Sequence, residues 1–156
     1  MTATDLKIVA YRPEHAAVWR SLNETWILAG GYAIEAKDAL VLGDPEGAIL
    51  AQGGTIFIAE LEGAPVGCCS LMAMSDGGFE VGKMAVDAAA HGRGLGHRLL
   101  DACEAHARRA GAPRLYLETN TAQTHTIALY HRFGFAELPA RPTPYARCNY
   151  WMEKRL

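Results

Sequence analysis

Glycines at positions 92, 94 and 96 form the stretch in which residue type and spacing most clearly suggest chemistry. A strand-like run precedes them, and apolar residues at helical spacing follow. Closely spaced glycines let successive backbone N–H groups converge on one point without interference from Cβ atoms. The start of a helix adds unpaired N–H donors and a partial positive charge. This loop is therefore expected to bind a pyrophosphate.

Two other phosphate-binding motifs do not fit the chain. A Walker loop needs G-x-x-x-x-G-K-[ST], and the sequence has no such run. A dinucleotide fingerprint needs G-x-G-x-x-G after a β-α-β start, whereas the spacing here is G-x-G-x-G. A nucleotide-binding enzyme is therefore disfavoured. On the glycines alone, a turn that merely caps a helix remains an open alternative.

The loop resembles the coenzyme A signature of the GNAT superfamily of acyltransferases, Q/R-x-x-G-x-G/A, at the start of a long helix. Residues 91–96 fill this pattern, with His91 in place of Gln or Arg. Residues 126–135 are similar to the superfamily segment A-x-x-L-Y-x-x-x-G-F, with Thr126 at the usual alanine. Gln123 stands where an upstream asparagine is often found. The order of elements from residue 6 to residue 155 also agrees.

The resemblance implies one domain over residues 1–156, with an α/β fold whose central mixed sheet has helices on both faces. It implies an N-acetyltransferase that moves an acetyl group from acetyl-CoA to a primary amine of a small molecule or peptide, by direct attack in a ternary complex. Acetyl-CoA is then the co-substrate, no metal is required, and a homodimer is expected. The residues that it assigns to the coenzyme are Met84, Ala85, Val86, His91, Gly92, Arg93, Gly94, Leu95, Gly96, His97, Asn120 and Tyr130.

Amide formation from a thioester requires a base for the amine proton and a donor for the oxyanion, and the departing thiolate benefits from an acid. Glu80 is the candidate base, because its position resembles a strand glutamate that deprotonates the amine, directly or through water, in several GNAT enzymes. Burial in a cleft would raise its pKa. The alternative is a solvent-facing charge at the start of a strand.

Tyr130 is the candidate acid, because in the superfamily pattern this helix tyrosine points its hydroxyl at the coenzyme sulfur. The alternative is a half-buried aromatic residue beside Phe133 and Phe135. The oxyanion donor is expected to be a backbone N–H near Met84, where the sheet of such folds splays open.

Other polar residues have competing interpretations. His91 and His97 either help to hold phosphates or are solvated, and Asn120 either touches the coenzyme or belongs to a turn. Lys83 and Glu80 are three positions apart, so they face opposite sides of a strand unless a bulge intervenes.

The resemblance implies that the N-terminal helices and the loop before the last strand shape the acceptor pocket. Within that loop, a clamp by Arg147 on a carboxylate of the acceptor is the less favoured of two interpretations. An exposed arginine paired with a nearby Glu or with solvent is the alternative. These segments supply a mixed set of pocket residues that does not identify a substrate: Trp26, Tyr32, Glu35, Tyr145 and Arg147.

The elements that must position these residues follow from periodicity and turn residues. Residues 44–54 are ambiguous, and residues 62–65 form a tight connection between two strands. Helices are predicted from Pro13 to the Gly30-Gly31 stop and over 34–42, 93–110 and 122–133. Strands are predicted at 6–11, 55–61, 66–74, 79–86, 115–118, 135–138 and 148–152.

Composition excludes several classes of protein. The chain of 156 residues has 15 basic and 17 acidic residues, so neither nucleic acid nor a membrane is an expected partner. Its four cysteines form no C-x-x-C pair and suit reduced thiols, with Cys68 and Cys69 on opposite faces of a strand. Without a basic and apolar leader, the protein is expected in the cytoplasm.

A second function class remains open from the sequence. A non-catalytic acyl-CoA-binding module that regulates a partner would keep the glycine loop but would not need an acid and a base. The presence of both Glu80 and Tyr130 favours the enzyme.

Overall fold

The structure, a computed structural model, describes residues 5–156. The predicted order of strands and helices is confirmed, with one additional short helix. The strands are β1 (Leu6–Ala10), β2 (Thr55–Leu61), β3 (Ala64–Ala73), β4 (Phe79–Val86), β5 (Arg114–Thr119), β6 (Ala136–Leu138) and β7 (Tyr150–Arg155). The helices are α1 (Ala16–Ala29), α2 (Ala36–Gly43), α3 (Pro45–Ala48), α4 (Leu95–Arg109) and α5 (Thr124–Phe133).

All seven strands form one sheet in the order β1-β2-β3-β4-β5-β7-β6. Every neighbouring pair is antiparallel except β4 and β5, which are parallel. The α4 crossover explains this exception, since parallel neighbours need a long connection. The mixed sheet predicted from the sequence is therefore confirmed.

The sheet splits between β4 and β5. These strands pair only through Phe79 with Leu115 and through Glu80 with Tyr116. Beyond Glu80, the edge of β4 that faces β5 has no strand partner, although β4 continues to Val86. The split leaves an opening beside the C-terminal half of β4.

Helices cover both faces of the sheet, as predicted. Cys68 and Cys69 alternate on β3, so Cys69 packs with the α4 residues Leu99 and Leu100 while Cys68 packs with Trp19 of α1. Residues on α5 join the α4 side, and Val41 and Leu42 of α2 join the α1 side. Two apolar clusters thus fix the sheet between two helical layers.

A bulge interrupts β4 at the split. Cys68 pairs with Ala85 and Ser70 with Gly82, so Lys83 and Met84 together face the single residue Cys69. Lys83 has a φ of 52°, a left-handed conformation that costs energy for a residue with a side chain. Since a bulge shifts the alternation by one residue, Lys83 turns to the face occupied by Glu80.

Three local predictions differ from the structure. The connection predicted at residues 62–65 is a two-residue turn, because Glu62 and Gly63 both have positive φ and β3 already starts at Ala64. The ambiguous segment 44–54 holds α3, which Asp44 caps by accepting a hydrogen bond from Gly47 N–H. The final strand starts at Tyr150 and continues to Arg155, later than predicted at both ends. Within residues 5–156, no helix is both long and apolar enough to cross a membrane.

Candidate active site

A cavity of about 920 Å³ lies at the sheet split, between β4, the glycine loop, α1, α5 and the segment that precedes β7. The predicted catalytic residues Glu80 and Tyr130 both line it. Two of the predicted residues are not part of the wall: Arg93, which is exposed, and Glu35 of the predicted acceptor pocket. The predicted coenzyme residues that line the cavity are Met84, Ala85, Val86, His91, Gly92, Gly94, Leu95, Gly96, His97, Asn120 and Tyr130.

The glycine loop has the open geometry that an anion requires. Gly92 and Gly94 have positive φ angles of 81° and 72°, and no atom lies within 4 Å of where their Cβ atoms would be. Gly94 is the N-cap of α4 and has no side chain that could accept a hydrogen bond. The N–H groups of the first helical turn are therefore free to donate to a ligand. A Cβ at Gly96 would lie 3.0 Å from Leu129 Cδ2, so the glycine lets α4 approach α5 without a shift of that side chain.

Three polar residues near the loop are already engaged by the protein. The Nε2 atom of His91 lies 3.0 Å from the carbonyl oxygen of Val86, at the end of β4. His97 is exposed and contacts Asp101 one turn along α4. The side-chain amide of Asn120 donates to the carbonyl of Arg147 at 2.7 Å and accepts from the N–H of Ala122 at 2.8 Å. Coenzyme contacts from these three side chains stay predictions.

Glu80 has the environment of a base that can work at neutral pH. It lies on the face of β4 opposite the buried Phe79 and Val81. Burial raises the pKa of Glu80 to about 7, and the nearby Glu118 carboxylate adds to that rise. The ammonium groups of Lys83 and Lys37 act in the opposite direction. The predicted rise in the pKa of Glu80 is therefore present in the structure.

Lys83 and Glu80 share a face because of the bulge. In a regular strand, residues three positions apart would face opposite sides. The bulge reverses this for Lys83, as the sequence analysis allowed. The Lys83 ammonium donates to Asp38 Oδ1 at 2.7 Å and to the Tyr145 hydroxyl at 3.1 Å. Asp38 is fully buried on α2.

Arg147 does not have a free guanidinium. It donates to Asp38 through Nη1 to Oδ2 and through Nη2 to Oδ1, both at 2.7 Å, in the parallel arrangement that arginine makes with carboxylates. A longer contact of 3.4 Å reaches Glu35. The predicted clamp for an acceptor carboxylate is therefore wrong, because a carboxylate of the protein already occupies it. The other interpretation is right about a nearby Glu, since Glu35 is in contact, but wrong about exposure, since only 8% of the Arg147 side chain is accessible.

Tyr130 lies on α5 with its ring against Phe135, at 5.7 Å between centroids. It is 7% exposed, yet its side chain forms part of the cavity wall. Burial raises the pKa of Tyr130 above its usual value, and the nearby Cys69 and Cys103 thiols add to the rise. The phenol therefore stays protonated at neutral pH and is able to donate a hydrogen bond.

Cys148 is the cysteine that lines the cavity. Burial raises the pKa of its thiol to about 11, and the Glu118 carboxylate adds to that rise. A thiol with so high a pKa is mostly protonated at neutral pH, and the thiol form is a poor nucleophile.

The profile of the acetyltransferase (GNAT) family matches residues 16–135, which are more than half of the chain. The protein belongs to the GNAT acetyltransferase family.

Individual relatives agree with this assignment. The IAA acetyltransferase of Azospirillum brasilense is 39% identical over 105 residues, which are 64% of this chain and 67% of that protein. A GNAT-family acetyltransferase from Staphylococcus aureus has the same fold, with a TM-score of 0.86 at 20% identity over 96% of this chain and 98% of that one. The PaiA N-acetyltransferase of Thermoplasma acidophilum, solved with coenzyme A, has a TM-score of 0.80 at 16% identity over 97% and 99% of the two chains.

As a GNAT acetyltransferase, the protein depends on acetyl-CoA as the acyl donor. The residues present fit this co-substrate in two ways. The open glycine loop and the uncapped first turn of α4 suit a pyrophosphate. The edge of β4 beyond Glu80 has no strand partner, so its backbone groups are available to an amide-containing chain.

Two carboxylates of this GNAT site were missed in the sequence. Asp38 organises Lys83 and Arg147, and Glu118 lies beside Glu80. The signal for Glu118 was its position in a strand next to β4, two residues before Asn120. Asp38 gave no signal, because its partners lie 45 and 109 positions away along the chain.

Proposed function

We propose that the protein is an N-acetyltransferase that transfers an acetyl group from acetyl-CoA to a primary amine of a small molecule or peptide by direct attack in a ternary complex. The observation that carries the proposal is Glu80, a half-buried carboxyl with a pKa of about 7 in the cavity that also holds Tyr130 and the glycine loop. A base of this strength matches the removal of a proton from an amine near neutral pH.

The charges around Glu80 support an amine over a neutral alcohol as the acceptor. Glu80 and Glu118 both line the cavity. The cations Lys83 and Arg147 are both bound to Asp38, so they do not offset the two glutamates completely. An ammonium ion is attracted to such a site, and Glu80 can then take its proton.

Direct attack is supported by the state of Cys148. A two-step route through the protein would need a nucleophile that forms an acyl-enzyme. Cys148 is the thiol in the cavity wall, and its raised pKa keeps it protonated. The acetyl group is therefore proposed to pass from the coenzyme sulfur to the amine nitrogen without an intermediate on the chain.

The proposed sequence of steps uses three groups. Glu80 accepts a proton from the bound ammonium, and the neutral nitrogen then attacks the thioester carbonyl. The N–H of Met84, at the bulge and beside the split, is the proposed donor to the oxyanion. The oxyanion then collapses with loss of the thiolate, and Tyr130 protonates the sulfur. The second proton, which the nitrogen loses as the amide forms, returns to Tyr130 through solvent.

The test is product analysis with acetyl-CoA and a panel of primary amines, alcohols and short peptides. We expect coenzyme A and an amide to form in equal amounts, with no acetyl group on the protein when the amine is omitted. If the alcohols of the panel gave esters and the amines gave no amide, nitrogen would not be the acceptor atom. Tight coenzyme binding without turnover on any acceptor would instead favour the acyl-CoA-binding module.

A further inference from the structure

We propose that Glu118 is a positioning residue for the reaction, which acts through Glu80 by placing a fixed negative charge beside it. The inference rests on the proposed function, because it concerns the strength of the base that the function requires. It adds a second carboxylate to the active site, on the other side of the sheet split.

The sheet register places the two carboxylates on one face. Glu80 is in register with Tyr116 on β5, and Glu118 follows Tyr116 by two residues. Alternation along β5 directs Leu115 and Leu117 to the α4 side, where both are buried. Tyr116 and Glu118 therefore share the face of Glu80, and both glutamates line the cavity.

Glu118 is held in place by two hydroxyl groups from different parts of the chain. The Tyr116 hydroxyl donates to Oε2 at 2.7 Å, and Thr143 Oγ1 donates to Oε1 at 2.6 Å. Thr143 Oγ1 also accepts from the N–H of Tyr145 at 3.2 Å, which ties the segment before β7 to β5. Donors on both oxygens fix the position of the Glu118 carboxyl group.

Four other charged or titratable groups act with Glu118 around Glu80. Lys83 on β4 and Lys37 on α2 favour its ionised form. Tyr116 on β5 and Tyr145 before β7 have phenols whose pKa burial raises, so they stay neutral. Because the Lys83 ammonium is bound to Asp38, its effect on Glu80 is shared with another carboxylate.

The consequence for the reaction is a balanced proton transfer. The N–H bond of the acceptor breaks, an O–H bond forms on Glu80, and the nitrogen keeps the electron pair for its attack. Neutralising Glu80 removes its repulsion with Glu118, so the second charge makes this transfer more favourable. Glu80 returns the proton to solvent after the amide has formed.

The experiment is a pH titration of carbon-13-labelled glutamate carboxyls by NMR, which needs no acceptor. The Glu80 signal is assigned by its loss in Glu80→Gln. In Glu118→Gln the Glu80 midpoint should move to lower pH by about 0.5 to 2 units, the range for one like charge across a partly solvated cleft. Glu118→Asp keeps the charge and should restore most of the midpoint. Glu137→Gln is the matched control, because it removes an exposed β6 carboxylate and should change nothing.

Two outcomes would overturn the inference. One is an unmoved Glu80 midpoint in a Glu118→Gln protein that keeps its thermal unfolding temperature. The other is an equal shift in Glu118→Gln and Glu118→Asp, which would indicate a structural change and not a lost charge. If Glu118→Gln fails to fold, Tyr116→Phe and Thr143→Val weaken the hold on Glu118 separately, and the Glu80 midpoint should then move down in both. Should it not move in those folded variants, the inference is also wrong.

Kinetics separate this inference from the proposed function. When an acceptor is in hand, Glu118→Gln should move the acid limb of kcat/KM in the same direction as the NMR midpoint. If the acid limb of kcat/KM stays at the same pH in Glu118→Gln but is lost in Glu80→Gln, only the role of Glu118 is contradicted. Activity that is independent of Glu80 contradicts the proposed function itself.

Discussion

Asp38 is the residue that connects most of the charged groups on the acceptor side. Burial raises the pKa of Asp38, but hydrogen bonds from Arg147 and Lys83 outweigh this effect and hold the pKa well below its usual range. A carboxylate buried with two cations is stabilising only while all its partners are present. The three residues come from α2, β4 and the segment before β7, so the cluster joins segments that are distant in sequence.

Arg147→Met should lower the free energy of unfolding by about 1 to 3 kcal/mol, because it removes two hydrogen bonds from the buried Asp38, which keeps Lys83 as its remaining cation. Urea denaturation measures this loss. Arg141→Met is the matched control, since Arg141 lies in the same segment and donates only to the carbonyl of Pro139. A loss below about 1 kcal/mol, the value of an exposed ion pair, would contradict the buried cluster.

The same cluster fixes the sign of a pH effect. The lowered pKa of Asp38 means that its contribution is fully present above its ordinary value of 3.8 and is lost as the pH falls below that value. The difference in stability between the native protein and Arg147→Met should therefore shrink in acid. In kinetics, Arg147→Met should affect acceptors with and without a carboxylate equally, because the guanidinium does not bind the acceptor.

From the sequence alone, residues that line the cavity could be picked out where they belong to a local motif. Glu80 and Tyr130 stand at fixed distances from the glycine loop and the α5 segment, and both line the cavity. Asp38 and Glu118 depend on pairing between distant segments, which no local spacing encodes. Arg147 lines the cavity, but its partner on α2 could not be known before the fold.

At the scale of elements, the glycine loop and the first turn of α4 have the open geometry that the proposed phosphate site requires. Gly92 and Gly94 keep positive φ angles and leave open space at the loop surface. The helix that follows spans 15 residues, long enough for a full helix dipole at its N-terminus. The loop therefore needs little rearrangement to receive a pyrophosphate.

Gly94→Val should abolish most of the stabilisation by coenzyme A, because the side chain would occupy the space where a phosphate approaches. At a coenzyme concentration about 100-fold above Kd, the native protein should be stabilised by about 2.7 kcal/mol. Thermal unfolding with and without coenzyme measures the loss.

Gly111→Val provides a control with the same backbone cost. Gly111 follows the other end of α4, has a φ of 73° against 72° for Gly94, and also faces open space. Both variants should lose intrinsic stability, yet only Gly94→Val should lose the response to coenzyme. Equal responses in the two variants would show that the loop is not the phosphate site.

Strand and helix bounds were largely predictable, but two features of β4 were not. Apolar alternation gave Phe79–Val86 correctly. The bulge at Lys83 lies in a run, Gly82-Lys83-Met84-Ala85, whose composition does not distinguish a bulge from a regular strand. The split between β4 and β5 is a property of two strands together, and therefore appears only in the fold.

For the whole molecule, the split sheet is what turns a packed domain into a binding site. Two apolar clusters hold the sheet from both faces, so the strands can separate at one end without loss of the core. The opening brings together the glycine loop, an unpaired strand edge and Glu80. Under the proposed function, coenzyme and acceptor meet at Glu80 from the two sides of the cavity.

The most direct test of this account is the pH dependence of kcat/KM for acetyl transfer in Glu80→Gln and in the unmodified protein. The unmodified protein should show an acid limb near pH 7, set by the raised pKa of Glu80. Glu80→Gln should lose that limb, fall by about 10²- to 10⁴-fold near neutral pH and approach the unmodified rate in alkaline solution, where the amine is already unprotonated. Two superimposable profiles would contradict Glu80 as the base.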